Sequence, residues 1–75
     1  MGKRFIDLVY ELAPNYTVTM EVMYITTRIQ LVDTKKPGLR KVAVFRLTDL
    51  PEGVDMDEFC RQKLEELVRA MEESR

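Results

Sequence analysis

Six basic side chains in the middle of the chain have the chemistry that is easiest to name. Lysine and arginine bind phosphate groups, and a two-stranded ribbon that carries them can follow a nucleic-acid backbone. Asp33 is the one acidic residue between the first and the last of them. We therefore expect a basic hairpin over residues 28–46 that could bind nucleic acid. Its candidate binding residues are Arg28, Lys35, Lys36, Arg40, Lys41 and Arg46.

The aromatic residues do not support this chemistry. Proteins that bind single strands interleave basic residues with aromatic side chains on which bases stack. The chain has no tryptophan, and Tyr16 and Tyr24 precede the basic segment. Nucleic-acid binding is therefore the alternative hypothesis for function.

A group of methionine and tyrosine residues suggests a different kind of partner. Met20, Met23 and Tyr24 lie close together in a segment that is otherwise rich in β-branched residues. Methionine is flexible and polarisable, and it is common at surfaces that accept a protein partner. The same side chains could instead fill an irregular small core. We take these three residues as candidate partner-binding residues.

The chain offers little for catalysis or metal binding, since it has one cysteine and no histidine. A thiolate at Cys60 would be stabilised by the start of a predicted helix, but a nucleophilic cysteine also needs a base nearby. A structural zinc site needs several nitrogen or sulfur ligands. The acidic residues between 49 and 57 do not follow the spacing of a calcium loop. We therefore expect a protein that is not an enzyme and has no cofactor.

Length and composition predict one globular domain over residues 1–75. The apolar fraction is 45%, and the charged fraction of 33% is mixed in sign. No apolar run approaches the roughly 20 residues that cross a bilayer, and Asp7 and Glu11 interrupt the only stretch placed like a signal peptide. A single cysteine suits a reducing compartment. We therefore expect a cytoplasmic protein that does not contact membranes.

The net charge of −1 conceals two regions of opposite sign. Residues 1–48 hold eight basic and four acidic side chains, which gives +4, and residues 49–75 hold four basic and nine acidic ones, which gives −5. Such a molecule can attract partners of either sign.

The segment 17–32 reads as a single long strand. Its apolar residues change parity midway, from Val18, Met20 and Val22 to Ile29 and Leu31. Because strand side chains alternate between two faces, this change predicts a bulge, a bend or a strand that is buried on both faces. One small domain cannot cover both faces, so we expect a homodimer.

The flanking segments permit two element orders. Residues 3–13 segregate into polar and apolar arcs as a helix would, although a strand before the Ala13-Pro14 turn is the alternative. Pro37-Gly38 predicts a turn, and residues 40–48 return as a strand. We expect Leu31 to pair with Ala43, Ile29 with Phe45, and Thr27 with Leu47.

The C-terminal helix has the strongest local signals in the chain. Asp55 is a good N-cap, with Glu58 three residues later as in a capping box. The spacing of four, three and four residues between apolar positions defines one buried face. Those positions are Cys60, Leu64, Leu67 and Met71.

Together these features predict an α+β fold with a small antiparallel sheet of two or three strands, one of them long and bent, packed against the C-terminal helix. The order is α-β-β-α, with β-β-β-α as the alternative. We expect a small non-enzymatic protein–protein interaction module that forms a homodimer and binds a second, unidentified protein. The size and composition would suit an accessory or inhibitor protein of a phage or mobile element.

Overall fold

The structure, a computed structural model, describes residues 4–74 and has the predicted α+β class, with helices on one face of a three-stranded antiparallel sheet. The strand order is β1-β2-β3, and the C-terminal helix packs against β2 and β3. The elements are α1 (Phe5–Leu12), β1 (Tyr16–Met23), β2 (Thr26–Asp33), β3 (Arg40–Arg46), a 3-10 turn (Leu47–Asp49) and α2 (Met56–Glu73).

The single long strand expected over residues 17–32 is wrong. The segment folds back on itself as a hairpin, and Tyr24 and Ile25 form a two-residue turn between β1 and β2. Met23 pairs with Thr26 across this turn, and Met20 pairs with Ile29. Each even-numbered residue of β1 therefore faces an odd-numbered residue of β2. Because paired residues point to the same face, the hairpin explains the change of parity without a bulge or a bend.

The pairing of β2 with β3 differs from the expected register by two residues. Leu31 pairs with Lys41, Ile29 with Ala43, and Thr27 with Phe45. A shift of two preserves the alternation of side chains, so the expected core face is still the one that faces the helices.

The helix predicted for the N-terminal segment is present over Phe5–Leu12, and the alternative of a strand is wrong, whereas Lys3 lies outside the described residues. The first amide of α1 is satisfied by the other helix, since the Phe5 N–H donates to the Asp57 carboxylate at 3.2 Å and 3.3 Å. This bond fixes the start of α1 beside the start of α2.

The predicted cap and apolar face of α2 are both present. The Asp55 side chain accepts a hydrogen bond from the Glu58 N–H at 2.8 Å. The buried face of the helix meets the sheet, where Phe45 and Phe59 form an edge-to-face ring pair with centroids 4.8 Å apart. The buried apolar core comprises Ile29, Leu31, Phe45, Phe59, Cys60, Leu64, Leu67 and Met71.

The sheet has an inner face toward the helices and an outer face away from them. The inner-face residues of β2 are buried, whereas on β1 burial stops halfway along the strand. Tyr16 and Val18 are half-buried, but Met20 and Val22 are exposed although they belong to the same face. The helices therefore cover β2 completely and only the first half of β1.

No helix within residues 4–74 is long and apolar enough to cross a membrane.

Candidate interaction surface

An open apolar groove lies on the inner face at the turn end of β1. It has a volume of about 440 Å³. Met20 and Val22 form its sheet wall, and they are 39% and 67% exposed. The starts of both helices form the other wall. The described residues that line it are Phe5, Met20, Val22, Thr27, Met56, Asp57 and Cys60.

Tyr24 lies at the tip of the hairpin and is almost fully solvated, with 97% of its surface exposed. It also has a φ of +56°, whereas Ile25 beside it does not have a positive φ. A positive φ at the first turn residue alone is the pattern of a type II′ turn, which favours glycine at that position. The fold therefore holds a large aromatic side chain at a strained position in full contact with water.

Met23 points to the outer face and is 67% exposed, so it does not share the groove with Met20. The predicted partner-binding residues therefore occupy three sides of one end of the molecule: Met20 the inner face, Met23 the outer face and Tyr24 the tip. With the 43% exposed Ile25 and with Val22, they form a continuous apolar end. We refer to these five residues as the hairpin end.

Among residues 4–74, β1 is an edge strand of the sheet, and this edge adjoins the hairpin end. The Leu47 N–H donates to the Ile25 carbonyl and the Asp33 N–H donates to the Leu39 carbonyl, so odd-numbered residues of β2 bond to β3. Its even-numbered residues bond to β1, where they meet odd-numbered partners. The even-numbered residues of β1, including Met20, consequently direct their N–H and C=O groups away from the sheet.

The basic residues of the hairpin 28–46 do not form one surface. Arg28, Arg40 and Arg46 are on the outer face, whereas Lys41 pairs with Leu31 and belongs to the inner face. Arg28 is also partly neutralised, because its guanidinium lies 3.2 Å from the Glu21 carboxylate.

Lys35 and Lys36 belong to the turn between β2 and β3. The Asp33 carboxylate accepts hydrogen bonds from their backbone N–H groups at 2.8 Å and 3.1 Å. Both lysine residues are exposed. They line an open cleft of about 560 Å³ beside the end of α2. The six basic residues are thus distributed over two faces and one turn.

Cys60 belongs to the core, as expected, and is 2% exposed at the base of the groove. Burial raises the pKa of its thiol, and the negative charge of Asp57 raises it further. A thiol in these surroundings stays protonated and is a poor nucleophile.

Of the three residues that the sequence suggested, only Met20 lines the groove, and sequence reasoning missed the helix residues Phe5 and Met56 that complete it. Their contribution depends on the bond between the start of α1 and Asp57, which joins residues 52 positions apart. No local pattern could have revealed that contact.

Within the described part of the chain, no group of three or more cysteine or acidic side chains could hold a metal ion. The chain matches no family model, no curated protein and no solved structure.

Proposed function

We propose that this protein is a non-enzymatic protein–protein interaction module that binds its partner through the hairpin end. The observation that carries the proposal is Tyr24, which is 97% exposed and held at a φ of +56°. Strain of this kind is retained where function requires a particular side chain. Tyrosine and methionine are enriched where proteins bind one another.

The neighbours of Tyr24 support the same kind of partner. Val22 and Met23 are each two-thirds exposed, and they extend the apolar surface to both faces of the hairpin. Contiguous exposed apolar side chains mark interaction sites more often than scattered ones do. A small module of this type would act by occupying or bridging other proteins, as a phage or mobile-element inhibitor or adaptor does.

Nucleic-acid binding through the hairpin 28–46 is the second candidate. Four basic side chains at or beside one turn favour it, namely Lys35, Lys36, Arg40 and Lys41. The ion pair of Arg28 with Glu21 weighs against it, because a compensated guanidinium contributes less to phosphate binding. We therefore rank it below protein binding.

Affinity capture with matched baits separates the two candidates. The baits are the wild-type protein, Met23→Asp, Val44→Asp and a variant with Lys35, Lys36, Arg40 and Lys41 all changed to Gln. The source is a nuclease-treated lysate of cells that express the protein. Val44→Asp is the control for Met23→Asp, since Val44 is an exposed apolar residue of the same face on β3, away from the hairpin end and from the edge of β1.

We expect the same captured protein with the wild type, Val44→Asp and the charge variant, and its loss with Met23→Asp. In parallel, labelled random-sequence DNA and RNA oligonucleotides are titrated at low and high salt. Tight oligonucleotide binding that weakens steeply with salt and disappears in the charge variant would establish the nucleic-acid alternative instead.

A further inference from the structure

We propose that two copies of the chain pair through the free edge of β1, antiparallel and about a two-fold axis beside Met20. The two three-stranded sheets then form one continuous sheet. In this sheet, α1 of each copy lies beside the half of β1 that is exposed in the other copy. This inference deepens the proposed function, because it names a second copy as one partner of the module.

The backbone of β1 is prepared for such pairing. Val18, Met20 and Val22 direct their N–H and C=O groups to the open edge, as the alternation set by Leu47 and Asp33 requires. Antiparallel pairing with a second β1 satisfies these groups in both copies. The eight residues of this edge strand include no proline, lysine or arginine, the residues that most often prevent edge pairing.

A two-fold axis beside Met20 sets the register of the two strands. A two-fold axis perpendicular to the sheet places inner-face residues opposite inner-face residues, so Met20 faces Met20 of the second copy and Val18 faces Val22. The inner-face contacts across the axis are therefore all apolar. On the outer face, Thr19 lies opposite Glu21 of the second copy, so no like charges meet.

The helices show why the partner is a second copy. Helix α1 has eight residues and is about 12 Å long, whereas the eight residues of β1 extend about 26 Å. One α1 therefore covers only half the strand, as the exposure of Met20 and Val22 shows. An axis at Met20 relates the covered half of one strand to the open half of the other. Two exposed apolar residues of α1, Ile6 and Tyr10, lie one turn apart and are available for this contact.

Charge distinguishes the two edges of the sheet. The opposite edge, β3, carries Arg40, Lys41 and Arg46, so two copies of it would repel each other. The one charged residue of β1 is Glu21, and it is already paired with Arg28 at 3.2 Å. Charge repulsion therefore opposes pairing of two β3 edges but does not oppose pairing of two β1 edges.

The mass of the purified protein is the first test. Light scattering of the wild type at micromolar concentration should give about twice the chain mass of 8.8 kDa. Met20→Lys places two like charges on the axis and should give the monomer mass, with circular dichroism confirming its fold. Thr19→Lys is the matched control, since the new lysine lies opposite Glu21 of the second copy and the dimer should persist.

Disulfide trapping tests the register and does not require any variant to be monomeric. In a Cys60→Ala background, Met20→Cys should give a covalent dimer under mild oxidation, because directly paired residues lie within disulfide range. Val18→Cys should not, since its counterpart in the second copy lies four residues further along the strand. Thr19→Cys tests the neighbouring register, with the axis beside Thr19.

A wild-type monomer, or a covalent dimer formed by Thr19→Cys and not by Met20→Cys, would overturn this inference. Either result leaves the proposed function to the capture experiment, which depends on Met23 rather than on the edge of β1. Conversely, Met23→Asp could capture the same protein as the wild type while Met20→Cys still forms the covalent dimer. That result would refute the proposed function and leave the dimer standing.

Discussion

Tyr24 and Cys60 show how little a residue type reveals without its surroundings. The sequence places both in segments with a strong secondary-structure signal, Tyr24 in a β-rich run and Cys60 in a helix. The structure places Tyr24 at a strained turn in water and Cys60 in the core. The strain at one residue and the raised thiol pKa at the other both lead to measurable effects.

Replacing Tyr24 with glycine should stabilise the fold and weaken partner binding. Glycine adopts a positive φ without a steric penalty, so Tyr24→Gly should raise the free energy of unfolding by about 0.5–1 kcal/mol, after its greater chain entropy is subtracted. Chemical denaturation measures the gain, and affinity capture measures the loss. Thr17→Gly, in the regular part of β1, should instead destabilise the protein. If Tyr24→Gly is less stable than the wild type, the positive φ of Tyr24 does not cost the fold stability.

The pKa of Cys60 predicts a dependence of stability on alkaline pH. The folded thiol has a raised pKa, so its contribution is fully present below the unfolded thiol pKa of about 8.5 and is lost as the pH rises through the folded value. The difference in unfolding free energy between the wild type and Cys60→Ala should therefore be constant near neutral pH and shrink above it. A difference that does not change up to pH values above the unfolded thiol pKa would show that burial does not shift the thiol.

At the scale of elements, the two helices have different sources of stability. Helix α2 is long, capped by its own Asp55 and buried along one face. Helix α1 is short, and its first amide depends on Asp57 of α2. The loss of a core side chain in α2 should therefore affect the whole fold, whereas the loss of the cap on α1 should act locally.

Leu67 tests the core face of α2. Its side chain is 7% exposed within the core, so Leu67→Ala should lower the free energy of unfolding by roughly 2–5 kcal/mol through lost burial and a new cavity. The neighbouring exposed Glu66→Ala is the control and should change it by less than about 0.5 kcal/mol. Equal denaturation midpoints for the two variants would show that Leu67 does not lie on the face of α2 that packs against the sheet.

Asp57 tests the link between the helices. Asp57→Ala removes the acceptor of the Phe5 N–H and should destabilise the protein by about 1 kcal/mol, the usual effect of a lost cap. Hydrogen exchange should accelerate in α1 and remain slow in the middle of α2. Glu58→Ala changes the next residue of α2 without touching α1. If the amides of α1 exchange at the same rate in both variants, Asp57 does not cap that helix.

At the scale of the whole molecule, the described chain leaves its β1 edge and its groove open, whereas the β3 edge carries basic residues. A fold with one unprotected edge gains stability whenever that edge is paired. The stability of this protein should therefore depend on its concentration.

Thermal unfolding measures that dependence. Because association stabilises only the folded chain, the Tm of the wild type should rise with protein concentration. The Tm of Met20→Lys should stay constant over the same range, and that of Thr19→Lys should follow the wild type. A wild-type Tm that does not change with concentration would indicate that the folded protein is a monomer in the range tested.

The sequence by itself determined the features that depend on neighbours along the chain. Helix α2, its Asp55 cap and its buried face follow from contacts three and four residues apart, which the order of residues specifies directly. The Pro37-Gly38 turn and the inward face of β2 follow from equally local rules. The α+β class could be predicted because these local elements leave few ways to bury their apolar faces.

Only the tertiary structure decided where the long β segment turns and what its end exposes. Tyr24 and Ile25 are strong strand formers, and a change of parity fits a bulge, a bend or a two-residue turn equally well. Because the segment turns, β1 pairs with one edge of β2 and β3 with the other, and Ile29 and Leu31 of this central strand are buried under the helices. The same non-local packing divides the basic residues between two faces and leaves Met20 and Val22 uncovered, since an eight-residue helix is shorter than the strand beside it.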